Sequence, residues 1–97
     1  MKYSFEQIKA YLQELLKKFC EPELSIFIDG KEYMIILYHG YCSFQKCGDS
    51  IGLEFKSLDE LYSAKLFDDI VLKNHWNRIT KVECYDFEYL NLPTVLL

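Results

Sequence analysis

The sequence predicts an α+β fold, an antiparallel β-meander of three to five strands with an N-terminal helix and two short C-terminal helices packed on it. Three observations predict it. Apolar residues recur at three- and four-residue steps through the first twenty positions, which is helical spacing. From Leu24 to Phe55 they alternate instead, and Asp-Gly, His-Gly and Gly-Asp pairs punctuate the alternation. After Ser57 the spacing turns helical again before one last alternating run.

Helix one is expected from Phe5 to Phe19. Ser4 and Gln7 stand at capping-box spacing, and Phe5, Ile8, Leu12, Leu15, Leu16 and Phe19 form one apolar stripe. Glu6 suits the positive end of the helix dipole, Lys17 and Lys18 suit the negative end, and Pro22 lies beyond the stop. Strands one and two, Leu24–Ile28 and Lys31–Tyr38, flank Asp29-Gly30, a two-residue hairpin signal. Leu24, Ile26 and Ile28 fall on one face of strand one and Phe27 on the other. Strand two, YMIILY, is apolar on both faces and is therefore expected to be central or covered. His39-Gly40 turns into strand three, Tyr41–Lys46, and Gly48-Asp49 precedes the alternation of Ile51, Leu53 and Phe55.

Ser57 and Glu60 open a second capping box on a short helix that carries Leu58, Leu61 and Tyr62 and is expected to end near Leu66 or Phe67. Asp68-Asp69 supplies an acidic turn. A third helix is expected from Ile70 to Ile79, with Leu72, Trp76 and Ile79 on one stripe. The last strand, Thr80–Tyr85, places Val82 and Cys84 on one side and Lys81 and Glu83 on the other, and returns to the meander's edge. In the tail DFEYLNLPTVLL, Pro93 bars a central strand or continuous helix, so its apolar residues need a surface of this domain, of a partner or of a second copy.

A chain of 97 residues with 51% hydrophobic and 16% aromatic content is expected to fold as one domain over 1–97. Its net charge of -4 disfavours nucleic acid as a partner and suits solubility or a basic protein partner. The N-terminus lacks the signal-peptide pattern, and no window approaches the roughly 18 apolar residues of a membrane span. The expected compartment is therefore the reducing cytoplasm, with Cys20, Cys42, Cys47 and Cys84 as thiols. A zinc site from His39, Cys42 and Cys47 is disfavoured, because the spacing is not that of a paired knuckle and alternation sends the two cysteines to opposite faces.

Residue types that could perform chemistry have simpler roles. His39 sits at a hairpin turn and His75 on a helix, and a Cys84–His75 pair would need an orienting third group. Asp59-Glu60 and Asp68-Asp69 occupy helix starts and turns, where acids meet unpaired backbone donors. The four glycines never form a phosphate-binding loop. No residue is assigned a catalytic, cofactor-binding or metal-ligating role, no cofactor is expected, and the chain is read as non-enzymatic.

Leu58-Asp59-Glu60-Leu61 through Ala64, Phe67-Asp68, Leu72-Lys73 and Trp76 resembles the C-terminal part of small uncharacterised proteins of Gram-positive bacteria and their mobile elements. There an S-x-x-E-L helix, an A-x-x-F-D turn and an L-K-x-x-W helix follow a strand-rich half. Gly commonly follows the F-D pair in that pattern, and Asp69 stands in its place here. The resemblance spans about twenty residues and implies no activity; it implies that Phe67 and Trp76 clamp two helices onto the sheet.

The expected function is that of a small cytoplasmic protein-interaction protein of accessory or immunity type, binding an unknown protein partner or forming a homodimer. Its candidate contacts are Tyr38, Tyr41, Tyr85, Tyr89, Leu92 and Leu96, since tyrosines give amphipathic contact area and an apolar tail seeks cover. The alternative is a single-stranded nucleic-acid module presenting Tyr33, Tyr38, Tyr41 and Phe44 on a sheet face beside Lys31 and Lys46.

Overall fold

The computed structural model describes residues 3–18, 21–84 and 95–96, the last pair through their backbone. Helix α1 spans Phe5–Lys18, and its start is a complete capping box: Gln7 N donates to Ser4 Oγ at 3.1 Å and Ser4 N to Gln7 Oε1 at 2.8 Å. Phe5, Ile8, Leu12 and Leu15 are buried as the stripe requires, joined by Tyr11. Phe19, the expected last helical residue, lies outside the described residues.

Strands β1 (Glu23–Ile28), β2 (Lys31–Leu37), β3 (Cys42–Lys46) and β4 (Gly52–Phe55) form the expected meander, all neighbours antiparallel. Asp29 and Gly30 hold φ of 53 and 78, the double left-handed geometry that a two-residue hairpin requires. Strand β5 (Ile79–Glu83) returns beside β1 with a register shift at Phe27/Ile28, and the two-residue β6 (Val95–Leu96) pairs with β5, giving the order β4-β3-β2-β1-β5-β6. Strand β2 is therefore central, as its apolar character demanded.

The second half corrects two helical expectations. Helix α2 is only Leu58–Ser63: Ala64 leaves it in extended conformation, and Leu66 N donates to Ile70 O at 2.7 Å across a 3₁₀ turn, Phe67–Asp69. The expected Ile70–Ile79 helix is a single α turn, α3 (Leu72–His75), running into a 3₁₀ turn at Trp76–Arg78, while Ile79 already belongs to β5. Leu66, Ile70 and Leu72 are still buried, so their apolar spacing reflects a folded-back connection serving the core rather than a continuous helix.

The core lies between the helices and one face of the sheet. Cross-strand partners share a face, so Leu24, Ile26 and Ile28 of β1 line up with Tyr33, Ile35 and Leu37 of β2, with Cys42 and Phe44 of β3 and with Val82 of β5. These side chains and the buried residues of α1, α2 and α3 form one cluster. Phe67 stacks on Phe44 at 6.2 Å and so fastens the 3₁₀ turn, rather than a helix, to the sheet. Trp76, half-buried against the core cluster, meets Phe5 and Tyr62 edge-on at 5.7 and 5.8 Å and donates Nε1 to Tyr3 O at 2.8 Å, tying the end of α3 to the start of α1. No helix among the described residues is long and apolar enough to cross a membrane.

Candidate interaction surface

Alternation that buries one face of the sheet necessarily sends every second side chain the other way. Phe27 of β1 and Met34 and Ile36 of β2 are on this outward face and half-buried, and they are not among the residues packed against the core. No described helix contributes to their side of the sheet. Tyr38 and Tyr41 continue the same parity past the ends of β2 and β3, where Tyr38 N donates to Tyr41 O at 2.9 Å. Their rings stack at 4.5 Å with 12° between planes. Tyr41 keeps 40% of its surface exposed and Tyr38 is half-buried beneath it.

Charged groups frame this apolar strip. Glu23, Glu32, Glu54 and Glu83 share the outward parity with one base of the strands, Lys81. The Lys81 ammonium is 2.6 Å from Glu83 and lies over the Phe27 ring at 5.0 Å. Glu32 accepts the Ser25 hydroxyl at 2.8 Å. It also faces Cys47, whose thiol is held above its ordinary pKa by partial desolvation and then by the Glu32 carboxylate. A thiol so placed stays protonated near neutrality and is a poor nucleophile. At the β4 edge, Tyr41, Glu54, Phe55, Lys56 and Glu60 line an open depression of about 470 Å³.

On the core side, residues with chemical potential serve the fold. Cys42 is buried, with its thiol pushed up to about 11 by desolvation and then by Glu60. With Cys42 in the core and Cys47 on the opposite face, neither converges with the exposed turn residue His39. His75 Nδ1 accepts from Val71 N at 3.0 Å and thereby closes its own helical turn. Cys84 is buried in the core beside Val82. Tyr33 donates its hydroxyl to Asp68 Oδ2 at 2.6 Å, while Lys46 approaches the same carboxylate at 3.0 Å. Burial, then that hydrogen bond, raises the Tyr33 pKa; the hydroxyl of Tyr33 and the ammonium of Lys46 lower that of Asp68.

Of the six contact residues expected from sequence, the structure brings Tyr38 and Tyr41 together. Tyr85, Tyr89 and Leu92 lie outside the described residues, and Leu96 is described only as the backbone partner of Val82 in β6. The nucleic-acid platform is corrected: Tyr33 and Phe44 are 1% and 0% exposed and stack on each other inside the core, so only Tyr38 and Tyr41 of its four aromatics reach the outward face. Sequence reasoning did not select Phe27, Met34 and Ile36 as surface residues. Alternation carried part of the signal, since Phe27 stands opposite the core residues of its strand, whereas a strand apolar on both faces points equally to a sheet covered on both sides. The chain matches no known family model, no curated protein and no solved structure.

Proposed function

We propose that the protein is a non-enzymatic protein-interaction module, acting in the cytoplasm as an accessory or immunity-type protein, and that it binds through the outward face of its sheet. One observation carries this reading: the described helices pack on one side of the sheet, leaving Phe27, Met34 and Ile36 half-buried on the other beside the stacked pair of Tyr38 and Tyr41. Contiguous apolar and aromatic surface rimmed by charge is the composition of an interface core and rim. A single-stranded nucleic-acid reading is weaker, since half of its platform is internal and carboxylates flank the remainder.

The test is size-exclusion chromatography with light scattering on the protein alone and mixed with lysate of its native host, for wild type and for the Met34→Glu/Ile36→Glu double variant. The expected result is a complex or self-dimer formed by wild type and lost in the folded variant. A complex that survives both substitutions would place the interface elsewhere.

A further inference from the structure

We infer that the occupant of the outward face is a basic, extended protein segment whose cationic side chain seats beside Tyr41; this inference rests on the interaction reading above. The charge of the face is one-sided. Lys81 is engaged by Glu83, whereas Glu23 and Glu54 have no ion-pair partner among the described residues. These two carboxylates end a single cross-strand row, Glu54–Ser43–Ile36–Glu23, running from β4 to β1. Three interstrand spacings put them about 14 Å apart. In an extended chain, same-side residues recur at about 6.8 Å, so side chains at i and i+4 span that distance. A segment with Lys or Arg at i and i+4 and an apolar residue at i+2 therefore places a cation on each carboxylate and its apolar group over half-buried Ile36, next to the buried Ser43.

The Glu54 end of the row is the better anchor. Its depression joins the exposed Tyr41 ring to the carboxylates of Glu54 and Glu60, against the single ammonium of Lys56. A guanidinium stacked on the ring gains cation–π attraction and charge-assisted hydrogen bonds from the same position. An acidic segment or a phosphate backbone meets uncompensated carboxylates at both ends of the row.

The experiment is fluorescence anisotropy with three labelled probes: a peptide repeating Arg-Ser-Leu-Ser, its counterpart with Glu for Arg, and a single-stranded oligothymidylate. The Arg peptide is expected to bind the wild-type protein in preference to both other probes and to weaken between about 50 and 200 mM salt. Tyr41→Ala and Glu54→Lys are each expected to weaken it about tenfold with melting unchanged. Glu14→Lys, the same charge change on α1, is expected to alter it less than about twofold. Equal binding of the Glu peptide, tighter binding of the oligonucleotide, or an equal loss with Glu14→Lys overturns the inference. If the Arg peptide fails while Met34→Glu/Ile36→Glu still abolishes the native complex, the surface stands and its basic occupant does not. If both fail, the interaction reading falls with it.

Discussion

Asp68 takes left-handed backbone, φ 57 and ψ 30, while its carboxylate receives the Tyr33 hydroxyl and the Lys46 ammonium; Asp69 follows at φ 60 with only an exposed pair to Lys65. Left-handed geometry costs any residue but glycine, so the two positions separate backbone from side chain. Asp69→Gly should raise stability by up to about 1 kcal/mol in urea titration, whereas Asp68→Gly should lower the melting temperature because the carboxylate is lost with the strain. The depressed pKa of Asp68 sets the sign of a pH effect. Its contribution is complete above the unfolded carboxylate value, about 3.9, and is lost as pH falls through the lower folded value. The gap in melting temperature between wild type and Asp68→Asn should therefore be constant near neutrality and close below about pH 4; a gap that widens on acidification contradicts the assignment. The acidic turn at Asp68-Asp69 was legible in the sequence. Its partnership with Tyr33 was not, because nothing local links a strand tyrosine to a turn so distant in sequence.

Elements defined by local rules formed where expected. The reciprocal Ser4/Gln7 bonds start α1, and Asp29-Gly30 turns β1 into β2, because caps and two-residue turns are settled within a few residues. The segment from Leu66 to Ile79 was misread because helical spacing of apolar residues is satisfied equally by a path of 3₁₀ turns and short extended links that folds back onto a core. Its stability then rests on docking, and Trp76 is the docking residue through Phe5, Tyr62 and the Tyr3 carbonyl. Trp76→Ala should cost about 2–4 kcal/mol, below full core truncation because the ring is half-buried. Urea unfolding followed by far-ultraviolet circular dichroism measures this, and a loss under about 1 kcal/mol would show that α1 and α3 are held by other contacts.

At the scale of the whole molecule, a helix layer on one side of a twisted antiparallel sheet leaves two kinds of apolar residue on the same strand. Ile35 is 3% exposed among the core side chains, and Ile36, its neighbour, faces outward and is only half-buried. The interaction surface and its basic occupant both depend on that asymmetry, and adjacent residues of identical chemistry test it without any partner. Ile35→Ala and Ile36→Ala, compared by urea denaturation, are the most direct measurement. The one-sided sheet predicts a loss of about 3–4 kcal/mol for Ile35→Ala and about 1–2 kcal/mol for Ile36→Ala. Equal losses at the two positions would mean that the outward face is packed as tightly as the core, and would contradict its role as an open surface for binding.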